Sequence, residues 1–279
     1  MRATIENIAG VPTRYLHHGS GSYGVLMLHG VGVSADSWLW NLSGLGDGVR
    51  AIAPDLLGYG MTGEGGYKSG APQDGILDHL VALVDHLQLQ RLTVVGSSFG
   101  ANLACHLFWR LSSRVDGLVL VGCGPALNGP AALSKMYEQS FANGIAAMKE
   151  PTFDVCKRRM NNLVFDPKSV PDALLMLQLS LYALPGAADR YERRMRGIKE
   201  FEALKRFDVT TRTKDLTVPT CVVWGRQDVR SDLEEARQYI TALPRGRLLI
   251  YENCGHLPYL EYPDRFNSDL KAFLADVRA

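Results

Sequence analysis

Short apolar runs recur along the chain, and each stops at a glycine, a proline or a polar turn. Val25-Leu26-Met27-Leu28 ends at His29-Gly30, Ala51-Ile52-Ala53 at Pro54-Asp55, and Leu92-Thr93-Val94-Val95 at Gly96. Leu118–Val121 ends at Gly122, Cys221-Val222-Val223-Trp224 at Gly225, and Leu248–Tyr251 leads into Glu252-Asn253-Cys254-Gly255-His256. Runs that are apolar on both faces suit central strands of a parallel sheet covered by helices. Ala3–Ile8 and Thr13–His17 flank the turn Ala9-Gly10-Val11-Pro12 and predict a pair of strands. Helical spacing fills the gaps. Gly75–Leu89 sets Ile76, Leu80, Leu83, Val84 and Leu87 against Asp78, Asp85 and His86, and Ala101–Leu111, Leu233–Ile240 and Arg265–Val277 repeat the period. This alternation predicts an α/β fold with a mostly parallel sheet and helices on both faces.

One segment interrupts the alternation. Residues 125–212 contain no convincing strand, only helix-like stretches such as Ala131–Met148 and Pro171–Leu184, and the segment is far longer than one crossover requires. It is net basic while the remainder is net acidic. We expect a helical cap over 125–212, inserted into a core built from 1–124 and 213–279.

Composition narrows the function classes. With 46% hydrophobic and 21% charged residues in 279, the chain is neither disordered nor dependent on disulfides for its core. Thirty basic against 29 acidic residues give no cationic excess for a nucleic-acid partner. No run approaches the roughly 20 apolar residues of a membrane span, and the N-terminal stretch lacks a signal-peptide core. The five cysteines are scattered, with no CxxC pair, so we expect a reduced cytoplasmic protein without a zinc site. The expected partner is a small-molecule substrate, and a homodimer is left open.

Gly96-Ser97-Ser98-Phe99-Gly100 fits G-x-S-x-G, with LTVV before it and the helical pattern ANLACHLFW after it. A nucleophile elbow needs this strand-turn-helix setting, which exposes the serine hydroxyl at the C-terminal edge of a sheet. A serine hydroxyl needs a base, and after such an elbow the acid and then the histidine follow in chain order. Only His106 and His256 follow residue 98. His106 lies too far along the outgoing helix, so His256 is the expected base. Asp228, in Trp224-Gly225-Arg226-Gln227-Asp228, is the expected acid, and Asp232 reads as a helix cap. The backbone amides of Val31 or Gly32, together with Phe99, are the expected oxyanion donors, with His29 bracing their loop. His17 and His18 point to opposite faces of a strand, and His79 and His86 read as a solvated helix face. Arg158-Arg159 and Arg193-Arg194-Met195-Arg196 likewise read as solvated helix faces, although they could meet an anion.

Together these segments resemble the α/β-hydrolase superfamily: LMLHG at 26–30, APDLLGYG at 53–60, VVGSSFG at 94–100, VVWGRQD at 222–228 and CGHLPYLEYPDRFN at 254–267. The resemblance implies an α/β-hydrolase fold and hydrolysis without metal or organic cofactor. Ser rather than Asp at position 98 separates the chain from haloalkane dehalogenases and epoxide hydrolases. The loop DLLGYGMTG, the stretch Asn162-Leu163-Val164-Phe165-Asp166 and the ending CGH…E…DRFN are similar to meta-cleavage product hydrolases, which cleave C–C bonds. Three positions depart from that family: Ser97 stands for Asn, Leu257 for Trp, and Gln178 for a cap arginine that holds the substrate carboxylate. Because these are the parts specific to C–C cleavage, the expectation is a serine hydrolase of a small, apolar or aromatic ester. C–C hydrolysis of a vinylogous diketo acid is the alternative, and a triad-bearing ligand receptor a minor one. Ser97, Leu257, Trp38, Met136, Gln178 and Tyr182 are the expected pocket residues.

Overall fold

The computed structural model describes residues 1–46 and 48–279. Its strands are β1 (Arg2–Ile8), β2 (Val11–His18), β3 (Tyr23–Leu28), β4 (Val49–Pro54), β5 (Arg91–Ser97), β6 (Val115–Val121), β7 (Thr220–Gly225) and β8 (Gly246–Tyr251). They form one sheet in the order β1-β2-β4-β3-β5-β6-β7-β8. β1, β2 and β4 pair antiparallel, and every pairing from β4 to β8 is parallel. The longer helices are α1 (Pro72–His86), α2 (Phe99–Arg110), α3 (Pro130–Lys149), α4 (Phe153–Asn161), α5 (Asp172–Tyr182), α6 (Ala187–Lys199), α7 (Phe201–Arg206), α8 (Leu233–Thr241) and α9 (Pro263–Arg278).

The apolar runs are strands because helices cover them on both sides. Every residue of β3 and β7 is buried. Leu26 and Leu28 of β3 join one core cluster with Ile76, Leu80 and Leu83 of α1 and Leu103 and Leu107 of α2. Val25 and Met27, one position out of phase, join a second cluster with Phe266, Leu270 and Phe273 of α9. A period of two thus divides the side chains of one strand between two cores. Helices α3 to α7 all fall between β6 and β7, above the edge at which the parallel strands end.

Two loops at that edge are tied by buried charge. The Asp55 carboxylate, after β4, accepts the N–H groups of Ala35 (2.8 Å) and Met61 (2.9 Å). Arg14 of β2 reaches Asp55 at 3.2 Å and Asp36 at 2.6 Å. His29 bridges the same loops. Its Nε2 accepts the Leu56 N–H at 3.0 Å, so Nδ1 carries the proton and donates to the Gly30 carbonyl at 2.8 Å. His79 lies on no solvated face: α1 crosses β2, and the ring is buried with Nε2 2.9 Å from Thr13 Oγ1.

Burial holds His29 and His79 below the ordinary histidine value of 6.5 and pushes His106, packed edge-on against Trp109 and Phe207, down to about 4. The unfolded chain therefore binds more protons than the folded one below about pH 6.5, and stability rises with pH in that window. The urea midpoint should fall as the pH drops from about 6.5 to 4, and less steeply in His106→Gln. A midpoint that holds or rises on acidification contradicts this assignment.

Candidate active site

The turn from β5 into α2 leaves little freedom. A Cβ on Gly96 would stand 2.2 Å from the Gly100 carbonyl oxygen, and one on Gly100 would stand 2.2 Å from the Leu28 oxygen, so both positions require glycine. Between them Ser98 takes φ +54 and ψ −118, a strained conformation for a residue with a side chain. Its N–H donates to the Val121 oxygen at 2.9 Å, which anchors the turn to β6.

Asp228 follows β7, and its carboxylate is fully buried. Oδ1 accepts the Arg230 N–H at 2.8 Å, and Oδ2 lies 2.8 Å from His256 Nδ1. A carboxylate only accepts, so Nδ1 is the protonated nitrogen and Nε2 the basic one. Asp232 instead caps α8, accepting the Glu235 N–H at 3.0 Å. The His256 loop is clamped to the helical segment above it. His256 N–H donates to the Leu163 oxygen at 2.7 Å, while Glu261 accepts Gly255 N–H at 2.8 Å and Phe165 N–H at 2.7 Å. Burial raises the Glu261 pKa against the pull of these N–H groups.

Ser98 and His256 line one cavity of about 30 Å³ with Val31, Ser97, Leu257 and Tyr259. Arg159, Arg230, Asn143 and Leu163 complete its wall and face, on their other side, an open groove of about 900 Å³. Val31 and Gly32 lie on the loop after β3, and Phe99 is the first residue of α2; a Cβ on Gly30 would stand 3.2 Å from Ser98 Cβ, so the two turns meet. The other expected pocket residues stand elsewhere. Trp38 is fully buried one layer down, stacked on Tyr259 with ring centres 3.9 Å apart. Met136 borders a separate cavity beyond the Asp228 loop. Tyr182 donates to the Gly32 carbonyl at 2.5 Å and braces that loop from behind, and Gln178 is buried beside it.

Two residues in the wall were not expected there. Arg158 is exposed as a solvated face requires, but Arg159 is buried, because Cys156, Arg159 and Met160 form the inner face of α4. Arg230, with Nη2 3.0 Å from Ser140 Oγ, gave no sequence signal of its own. Arg194 also departs from a solvated face: it is buried against Tyr59 and Tyr67 and paired with Glu64 at 3.0 Å.

A mostly parallel sheet with a glycine-bounded serine elbow and a buried Asp–His pair at its C-terminal edge defines an α/β-hydrolase. The chain belongs to the alpha/beta hydrolase family, whose model matches residues 25–269. It is 28% identical over 278 residues to the 2-hydroxy-6-oxononadienedioate/2-hydroxy-6-oxononatrienedioate hydrolase of Paraburkholderia xenovorans, covering 97% of this chain and 93% of the relative. It is also 28% identical over 284 residues to the 2-hydroxymuconate semialdehyde hydrolase of a Pseudomonas species, covering 97% and 93%. A solved meta-cleavage product hydrolase from Pseudomonas fluorescens matches with a TM-score of 0.77 and 26% identity over 99% of this chain and 98% of that one.

These relatives correct the expectation of an ester substrate, since they carry the names of the C–C alternative. One of the three grounds for that expectation is also removed: Gln178 stands in place of a cap arginine, but Arg159 and Arg230 bring guanidinium groups to the cavity, while Ser97 and Leu257 line it as the departures they are.

Ser98→Ala should lower turnover by at least about 10³ and abolish labelling by a serine-directed phosphonate. Asp228→Asn should cost roughly 10⁴ by favouring the wrong imidazole tautomer, and Asp232→Asn little. Steady-state assays of the three purified variants check this, and equal losses at 228 and 232 would contradict the pairing described here.

Proposed function

We propose that the protein is a serine hydrolase that cleaves a C–C bond in a vinylogous diketo acid of the 2-hydroxy-6-oxo-dienoate type. The observation that carries this reading is the charge of the cavity. Among the described residues, two guanidinium groups and no carboxylate line the space that holds Ser98 and His256. Arg230 is half-buried near Asp228, but Arg159 is buried with no anionic partner among the described residues, a state unfavourable by roughly several kcal/mol, so the space favours a substrate that brings a carboxylate. A neutral ester would leave that charge uncompensated. The names of the relatives at 28% identity support the same class.

The residues divide the reaction as follows. The dienol first ketonises, which places a proton on the carbon next to the remote carbonyl. Ser98 then attacks that carbonyl as His256 Nε2 takes the hydroxyl proton, with Asp228 holding the ring and stabilising the imidazolium. Amides of Val31 or Gly32 and of Phe99 receive the oxyanion. Collapse breaks the bond between the carbonyl and its neighbouring carbon. The electron pair passes into the conjugated keto acid as a dienolate, which is reprotonated. Water activated by His256 releases the acyl group from Ser98 as a second carboxylic acid, so the sum is addition of one water. Ser97, whose hydroxyl is buried at the cavity wall, and Leu257 contact the substrate beside Ser98. Residues 125–212 act as the cap that closes over it. Five buried free thiols suit a reducing, cytoplasmic compartment.

The wild-type protein should bleach the chromophore of a 2-hydroxy-6-oxo-dienoate with a kcat/KM above that of every p-nitrophenyl ester assayed beside it. An ester hydrolysed more efficiently than each dienoate would overturn the proposal.

A further inference from the structure

Other buried arginines in this chain meet an acid: Arg14 lies on Asp36 and Asp55, and Arg194 on Glu64. Arg159 departs from that pattern. It is 5% exposed, and among the described residues it makes no ion pair. Nη1 reaches only Met160 Sδ at 3.4 Å, Nη2 reaches the Val31 carbonyl at 3.4 Å, and Nε has no partner. A guanidinium is always charged, and one carbonyl at 3.4 Å and one aromatic face compensate its burial less well than an anion would, so the site fits one completed by a carboxylate. Its position suits the reaction. It touches the loop that carries Val31 and Gly32, and a Cβ on Gly32 would come within 2.8 Å of Nη2, so the loop makes room for it.

Arg159 also converges with Gln178. Both donate to Met160 Sδ, at 3.4 and 3.3 Å. Both meet Tyr182: the Arg159 guanidinium lies 5.6 Å from the ring centre, and the Tyr182 hydroxyl is 3.3 Å from Gln178 Oε1. One helix, α5, thus presents an amide where the resemblance calls for an arginine, and its neighbour α4 brings a guanidinium to the same place.

We infer that Arg159 is the residue that binds the substrate carboxylate, its guanidinium delivered from α4 to the spot that position 178 faces. The inference rests on the proposed C–C hydrolase reading. Arg230 is the subordinate partner, because its Nη2 already donates to Ser140 Oγ. The planar fork of Arg159 matches a carboxylate through two parallel hydrogen bonds.

The test uses the full-length protein and two carboxylates: a cleavable 2-hydroxy-6-oxo-dienoate, and sorbate as an uncleavable dienoate that shields Ser98 from a neutral phosphonate. In Arg159→Gln, kcat/KM for the dienoate should fall about 10- to 100-fold, chiefly through KM, the loss expected for a hydrogen bond to a charged group. Half-protection by sorbate should need correspondingly more ligand. Gln178→Arg in the Arg159→Gln background should recover at least a third of the lost free energy on both readouts. An unchanged KM and unchanged sorbate protection in Arg159→Gln would overturn the assignment. Absence of recovery in the double variant would overturn the equivalence of the two positions. Sorbate protection that depends on Arg159 in a protein that cleaves no dienoate would leave the carboxylate seat standing and sink the reaction instead.

Discussion

The close approach of three backbone segments at the end of β5 is the constraint on which the rest of the site depends. Gly100 packs against the end of β3, and Gly96 packs against Gly100, with 2.2 Å of clearance for an absent Cβ at each. That contact holds Ser98 at positive φ with ψ −118, a sparsely populated conformation costing about 1–3 kcal/mol. The surrounding parallel strands, buried on both faces, hold the strain. In return the serine is lifted out of the sheet edge, where the loops after β3, β7 and β8 also emerge.

The second organising feature is the balance of buried charge. Below the edge the ledger closes, since Arg14, Asp36 and Asp55 neutralise one another while fastening the loops after β3 and β4. Above it Arg159 has no acid among the described residues, and Arg230, whose pKa burial lowers, lines the same cavity. Catalytic groups built for a neutral acyl substrate would not need this asymmetry. It is the same wall that opens on the 900 Å³ groove, so an anion arriving from solvent meets the two arginines before it meets Ser98.

Much of this was legible in the chain. Each apolar run that stops at glycine or proline became a strand, because a central parallel strand must be apolar on both faces. The elbow is legible from its glycines and flanking pattern, and chain order together with position after a predicted strand singles out Asp228 and His256, which the structure places 2.8 Å apart. Side chains from the helical segment between β6 and β7 were less readable. Position 159 looked like half of an exposed Arg-Arg pair. Only the i, i+3, i+4 set of Cys156, Arg159 and Met160 hinted that one of the two turns inward. Trp38 sits behind Tyr259 rather than in the cavity, and Gln178 lies beside the Arg159 guanidinium, both on Met160 Sδ. Helix register against a neighbouring helix is a tertiary property, which the order of residues in the chain does not display.

The most direct measurement is a crystal structure of Ser98→Ala soaked with a 2-hydroxy-6-oxo-dienoate. The account predicts the carboxylate within hydrogen-bond distance of the Arg159 guanidinium, and the remote carbonyl oxygen against the amides of Phe99 and of Val31 or Gly32. A substrate bound with its carboxylate turned away from Arg159, or with that carbonyl outside reach of position 98, would contradict it.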